Sequence, residues 1–247
     1  MDARDVTAVV LTRDEERNLP RVLTSLPRAM PVLVLDACSC DRTAEFARDA
    51  GAQVIERAWT DFVDARHFAL AQVRTPWTLM IDADEALDDV LCAAILTAPE
   101  NVNGYALART TYFAGKPMRL WRNERLVRLV RTAAVRVEPH PAAGGDAALH
   151  ERLVCDGATG VLPGTLLHFS YPSASAYRAK FRRYTTLEAQ GVQRDPLRAL
   201  TASVCALVRF ASNLLRRGAV LDGPRGWFVA WYSAWYPAVV AWKALWS

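Results

Sequence analysis

A chain of 247 residues, 52% of them hydrophobic, is long enough to bury a sizeable core, as one large domain or as one domain with an appendage. Its five cysteines, an odd number without zinc-type spacing, fit a reducing compartment rather than a disulfide or zinc framework. The net charge of +4 is unevenly spread, because residues 178–247 carry eleven Lys and Arg against three Asp and Glu, whereas residues 1–177 are net −4. A basic tail of that kind asks for an anionic partner.

The start, Met1-Asp2-Ala3-Arg4-Asp5, lacks the basic and apolar runs of a signal peptide, so a cytoplasmic location is expected. Val6 to Leu11 is a continuous apolar run of strand length. Thr12-Arg13-Asp14-Glu15-Glu16 then leads into Leu19, Val22, Leu23 and Leu26, which are spaced as a helical stripe. Val32 to Leu35 is a second buried strand and ends on Asp36. A polar turn precedes a short helix from Thr43 to Ala50, closed by Gly51 at a C-cap position. Ala52 to Glu56 predicts a third strand and Phe62 to Val73 a third helix. Trp77 to Ile81 predicts a fourth strand, ending on Asp82-Ala83-Asp84-Glu85. Strands alternating with helices at this spacing mean βαβ units and a mainly parallel sheet.

Two strands thus end on acids, Asp36 and Asp82, and burying those acids inside a sheet would be costly. In a doubly wound sheet both belong at the carboxyl-end crevice, where such folds bind ligands. A carboxylate at Asp36 can accept hydrogen bonds from a nucleobase imide or a ribose hydroxyl. Asp82 and Asp84 are hard oxygen donors that suit Mg²⁺ or Mn²⁺ on a diphosphate. The plainer reading makes Asp84 the cap of a helix beginning near Glu85 and Asp82 a turn residue. Neither a G-x-x-x-x-G-K nor a G-x-G-x-x-G motif occurs, so a P-loop NTPase and a dinucleotide enzyme are not indicated.

The segments T-A-V-V-L-T-R-D-E-E at Thr7–Glu16, D-A-C-S-C-D-R-T at Asp36–Thr43 and I-D-A-D-E at Ile81–Glu85 resemble the inverting family 2 glycosyltransferases of GT-A fold. The nearest branch in that resemblance is the bacterial lipopolysaccharide-core glycosyltransferases. It continues through Arg125-Leu126-Val127-Arg128, His150-Glu151, the H-x-S-Y run at His168–Tyr171, Lys180 to Ala189, and the D-G-x-x-G run at Asp222–Gly226. Asp14 stands where that family usually has Asn, and Cys38 where it usually has Gly, so the turn after Asp36 is expected to differ.

The resemblance implies a metal-dependent inverting transfer of a sugar from a nucleotide diphosphate donor, a uridine diphosphate sugar being the expected one. Thr12 and Asp36 would contact the nucleoside, Arg66 would approach the diphosphate, and Asp82 would join the donor site. Asp84 would bind the cation, Mg²⁺ or Mn²⁺, with His168 as a further ligand. Glu151 would be the general base, with His150 positioning the base or the acceptor and Asp146 the next candidate for the base. Plainer roles stand beside these: a solvated helix face for Arg66, a strand-edge surface Glu for Glu151, a satisfied half-buried ring for His168. Lys180, Arg182 and Arg183 could screen diphosphate or lipid, or be an ordinary basic helix face.

The tail differs in character. Leu197 to Leu215 is apolar with arginines interspersed, and Gly226 to Trp242 carries no charge. Trp227, Trp231, Trp235, Trp242 and Trp246 fall within one arc of about 100° on a helix. Tryptophan favours the headgroup interface, and Pro237 would interrupt a clean spanning helix. These residues predict an interfacial helix drawn to an anionic membrane surface, the alternative being a stripe that docks onto the catalytic domain or a second subunit.

The expected architecture is therefore α/β, a GT-A (Rossmann-like) domain over residues 1–172 with a basic, helical, membrane-associating extension over 173–247. The expected acceptor is a hydroxyl on a lipid-linked saccharide, with the protein peripheral on the inner face of the cytoplasmic membrane and no nucleic-acid partner. A nucleotide-sugar-binding scaffold without transferase activity is the alternative; such a protein would be expected to have lost an acid of the site. Nucleotidyl transfer shares the sheet, but it usually carries a Gly-rich basic loop where this chain has Thr12-Arg13-Asp14-Glu15.

Overall fold

The structure, a computed structural model, describes residues 1–121, 124–139 and 151–246. The predicted alternation is present: β1 (Val6–Thr12), α1 (Leu19–Ser25), β2 (Val32–Asp36), α2 (Thr43–Asp49), β3 (Gln53–Glu56), α3 (Phe62–Gln72) and β4 (Trp77–Asp82). Then come β5 (Glu85–Leu87), α4 (Asp89–Thr97), β6 (Gly104–Phe113), β7 (Lys116–Pro117), β8 (Glu124–Arg131), β9 (Val135–Pro139), β10 (Glu151–Cys155) and β11 (Thr159–Tyr171). Three helices follow, α5 (Ala174–Gln190), α6 (Pro196–Leu215) and α7 (Pro224–Ala244).

The main sheet has the order β3-β2-β1-β4-β8-β6-β11-β5, with β7 on β6, and β9 pairs with β10 separately. β3, β2, β1 and β4 are parallel, as strands joined by helices must be. Beyond β4 the sheet turns antiparallel at β8, and β6 is antiparallel to β8 in turn. Among the described residues only β7 and a 3₁₀ turn, Arg119–Trp121, lie between β6 and β8, so the two can pair antiparallel without a crossover. The sheet is therefore mixed, and its parallel half is the one the alternation predicts.

Every residue of β1 is buried, so the strand is covered on both faces. Val6, Ala8 and Val10 join a cluster with Leu19 and Val22 of α1, Ala47 of α2, and Leu91 and Ile95 of α4. Val9 and Leu11 point the other way, to Ala65 and Ala69 of α3 and to Val137 and Leu153 of β9 and β10. This period-two split fixes the register: a slip of one residue would exchange the two faces.

The turn after β4 departs from the plainer reading of Asp84. Glu85–Leu87 is a strand, not the start of a helix. The helix begins at Asp89, and its cap is Asp88, whose Oδ1 accepts the Leu91 N–H at 2.7 Å. Asp82 and Asp84 are thereby left to other duties.

The chain forms two compact units. One comprises Met1–Arg109 with the described residues of 123–140 and 148–168. The other comprises 110–121 and 169–246. In the second unit Phe113, Met118, Tyr177, Leu214 and Val229 share a core. α7 runs unbroken through Pro237 and buries an alanine face, Ala230, Ala234, Ala238, Ala241 and Ala244, each at most 4% exposed. Small residues there let α6 approach closely: Trp242 Nε1 donates to Ser203 Oγ at 3.0 Å, and Phe210 meets Trp227 and Trp231 edge-on. The D-G-x-x-G run makes the turn into α7. Gly223 has φ +61° and ψ −145°, and a Cβ on Gly226 would overlap the Ala219 carbonyl oxygen. Asp222 Oδ2 accepts the Arg119 N–H at 2.8 Å.

Candidate functional site at the carboxyl edge of the parallel strands

The ends of β1, β2 and β4 lie side by side. Thr12 is the register partner of Asp36, and Leu11 of Asp82. This is the strand edge where open α/β sheets take their ligands. The structure brings six of the residues singled out by the sequence together as three pairs.

The first pair is Thr12 and Asp36. Thr12 Oγ1 donates to Asp36 Oδ1 at 2.8 Å, and both residues are buried. Ser39 adds two more bonds to the carboxylate, from its N–H to Oδ2 at 2.8 Å and from its Oγ to Oδ1 at 2.5 Å. A carboxylate has about four acceptor positions, so one remains for a ligand. The loops after β1 and β2 are laced together around this pair: Asp14 Oδ1 accepts the Cys40 N–H at 2.7 Å, and Ser39 Oγ accepts the Asp14 N–H at 2.8 Å. Cys38 has φ 55° and Asp14 φ 53°. Both hold the left-handed conformation, so the turn after Asp36 is built with positive φ despite lacking glycine. Beside it a small cleft of about 10 Å³ is lined by Ala37, Arg57, Trp59, Thr60 and Asp64, among others. Trp59 and Arg57 were not singled out from the sequence; the signal available was a tryptophan in the polar run before α3, and the structure leaves that ring 37% accessible.

The second pair is Arg66 and Asp82. Arg66 is 1% exposed, so the solvated helix face is overturned: the side chain is buried, and its Nη2 donates to Asp82 Oδ1 at 2.7 Å. Arg128 holds the other oxygen, Nη2 to Oδ2 at 2.9 Å, and also reaches Glu85 Oε1 at 3.4 Å. Arg109 closes on the same Glu85 oxygen at 3.0 Å and on Glu124 at 2.8 Å. Glu85, fully buried, uses Oε2 to accept the Asp82 N–H at 3.1 Å. The result is a chain of alternating charge, Arg66–Asp82–Arg128–Glu85–Arg109–Glu124. Burial pushes the Asp82 carboxyl up, but the Arg128 and Arg66 guanidiniums outweigh it and hold the group well below the usual carboxylate range. Asp82 is thus a fixed anion. Arg128 and Glu85 lie in quoted motifs, yet their pairing was not foreseen; the signal was a charge inside the apolar run of β8 and a third acid after Asp84.

The third pair is Asp84 and His168. His168 Nε2 lies 3.3 Å from Asp84 Oδ2, and the two side chains are 15% and 18% accessible. β11 delivers the histidine, in register with Glu85 of β5. A carboxylate oxygen and an imidazole nitrogen could together hold Mn²⁺ or Mg²⁺. Among the described residues no three His, Cys, Asp or Glu gather as a full cage. A two-residue grip suits ions that keep water and phosphate oxygens in their remaining positions.

Glu151 opens β10, opposite Pro139 of β9. His150, Asp146 and the glycines 144 and 145 lie outside the described residues. Lys180 is half-buried, donating to Ser170 Oγ at 2.9 Å over the Tyr171 ring, while Arg182 and Arg183 are exposed.

The sequence model for glycosyl transferase family 2 matches residues 7–182. The chain is 30% identical over 196 residues to LpsC of Rhizobium meliloti, a lipopolysaccharide core biosynthesis glycosyltransferase, covering 74% of this chain and 70% of that protein. An uncharacterized glycosyltransferase of Mycobacterium bovis is 37% identical over 83 residues, 34% of this chain and 38% of its own length. Among solved structures, mannosyltransferase PcManGT from Pyrobaculum calidifontis, in complex with GDP-Man and Mn²⁺, superposes with a TM-score of 0.54 at 15% identity. That match covers 99% of this chain and 89% of the other, and it shows a shared GT-A fold.

Proposed function

The chain belongs to glycosyl transferase family 2, and from that premise we propose that it moves a sugar from a nucleotide diphosphate donor to a hydroxyl of a lipid-linked saccharide, with inversion at the anomeric carbon. The observation that carries the reading is the meeting of Thr12–Asp36, Arg66–Asp82 and Asp84–His168 at one strand edge.

In this reading Thr12 and Asp36 face the nucleoside, Asp36 through its remaining acceptor position. Asp82, held from two sides by Arg66 and Arg128, accepts hydroxyls of the donor at a fixed point. Asp84 and His168 hold a divalent cation, Mg²⁺ or Mn²⁺, which supplies positive charge to the departing diphosphate. Glu151 takes the proton of the acceptor hydroxyl as its oxygen bonds to the anomeric carbon and the bond to the diphosphate oxygen breaks. Residues 1–172 carry this chemistry and 173–247 the basic extension. The similarity to LpsC supports a lipopolysaccharide-core or related acceptor; the inner face of the cytoplasmic membrane is the expected place of transfer. The GDP-Man and Mn²⁺ of the Pyrobaculum enzyme support a nucleotide sugar and a divalent ion without choosing the base; the expected donor here is a uridine diphosphate sugar.

The test is a thermal-shift panel of nucleoside diphosphates and their sugars, with and without Mn²⁺, followed by a transfer assay with the nucleotide sugar that stabilises most. One base should stand out, and only with the metal. A protein that no nucleotide stabilises under either condition would end the proposal.

A further inference from the structure

The second unit presents an apolar surface that its own core does not use. On α6, Leu200, Val204, Leu207 and Val208 are 57–70% exposed. Their spacing puts them on one face of the helix. α7 lies alongside, and beside its buried alanines Trp227, Trp231 and Trp242 are 46–51% exposed. Arg198, Arg209 and Arg216, the last at the C-cap of α6, are all exposed, fall within about 20° of one another and make a second stripe about 80° round the helix from Val208, at the flank of the apolar one. The turn between the two helices opens a cleft of about 470 Å³, where Lys116, Arg119 and Arg225 line the wall with a single acid, Asp222, next to Leu221, itself 66% exposed. Among the described residues no helix is long and apolar enough to cross a membrane.

We propose that this α6–α7 face docks flat on an anionic phospholipid bilayer, with the leucines, valines and tryptophans entering the interface and the arginine stripe and the Lys116–Arg119–Arg225 cleft taking lipid phosphates. Charge complementarity selects this occupant. Residues 178–247 carry net +8, so two copies meeting through this face would set like charge against like, whereas an anionic surface attracts the same surplus. Tryptophan rings are amphipathic and settle at headgroup depth. Long arginine side chains lie along an apolar surface while their heads stay among the phosphates. The surface extends the reading of a lipid-linked acceptor, and it rests on that reading for its purpose, not for its chemistry.

The experiment is sedimentation of the full chain with phosphatidylcholine vesicles, with and without phosphatidylglycerol and free of any saccharide. The wild type should bind the anionic vesicles and, more weakly, bind them still in high salt. Val204→Glu with Leu207→Glu should weaken binding at least about a hundredfold. Arg209→Gln with Arg216→Gln should weaken it about thirtyfold at low salt, with no change in the residual binding at high salt. All four positions are exposed, so both variants should keep the wild-type unfolding midpoint and nucleotide-induced stabilisation. A Glu variant that sediments like the wild type would overturn the proposal. So would a lipid-free dimer that the Glu variant dissolves, which would make a second copy the occupant. Vesicle binding without transfer to any lipid-linked saccharide would leave this surface standing and sink only the acceptor.

Discussion

Asp84 and His168, one on the turn after β4 and the other on β11, bring Oδ2 and Nε2 to 3.3 Å. Neither is exposed enough to be a random surface contact, and neither is sealed from solvent. A pair in that position can trade its mutual contact for a shared cation. Asp82, two residues earlier, cannot do so as readily, since both of its oxygens already hold arginines.

The two acids should therefore separate on substitution. Asp84→Ala should remove the Mn²⁺-dependent part of nucleotide binding, and His168→Ala should weaken the metal's contribution at least about tenfold. Both variants should fold, because the pair is partly open to solvent. Calorimetric titration with the selected nucleotide, with and without Mn²⁺, measures this. An Asp84→Ala protein with the wild-type metal response would remove the pair from the cation site.

Arg128 should matter more to stability than its place in one strand suggests. It is 9% exposed and stands between Asp82 and a Glu85 that is fully buried. Arg128→Met leaves Glu85 with Arg109 and Asp82 with Arg66, so the loss should be a part, about 2–3 kcal/mol, of the roughly 3–5 kcal/mol that fully stranding a buried charge costs. Denaturant unfolding should show a loss of that size. Adding Glu85→Leu should recover a large part of it, because the stranded charge goes as well. Strictly additive losses would mean that the two residues do not act as a unit.

Glu151→Gln keeps size and hydrogen bonding but cannot take a proton at neutral pH. Turnover should fall about a hundred- to ten-thousandfold, with nucleotide affinity nearly unchanged, the signature of a group that acts in the transition state. Normal turnover would pass the role of base to another carboxylate, Asp146 first.

The parallel half of the fold was legible because helix and strand periods alternate there without interruption, and because Asp36 and Asp82 mark the ends of β2 and β4. The antiparallel half was not, since β6, β8 and β11 depend on pairings between distant segments that no local period encodes. The same limit applies to the site. Asp82 and Asp84 stand out in I-D-A-D-E, but the partners that give them different roles, Arg66, Arg128 and His168, arrive from α3, β8 and β11. In the tail the tryptophan arc was visible in the sequence. That the adjoining alanine face would be the buried one follows from close packing against α6. Arg66 was undecided in the sequence because an arginine on a helix with almost no amphipathic pattern gives no hint of which way it points.

Cys38 offers a test of how this loop is held. Its φ of 55° puts an L side chain in the left-handed region, which costs roughly 1–2 kcal/mol for a residue with a Cβ. Glycine removes that cost but adds unfolded-state entropy worth roughly 0.5–1 kcal/mol. The difference favours glycine, so Cys38→Gly should stabilise the protein by about 0.5–1 kcal/mol. Cys38→Val should do the reverse, because a β-branched side chain fits that region worst. Asp14, at φ 53°, gives the contrast: Asp14→Gly also relieves the backbone, but it removes the Oδ1 that accepts the Cys40 N–H at 2.7 Å. It should therefore gain nothing. Equilibrium unfolding of the three variants decides the matter. A Cys38→Gly protein no more stable than the wild type would mean that the thiol's contacts, not the backbone, set the energy of this turn.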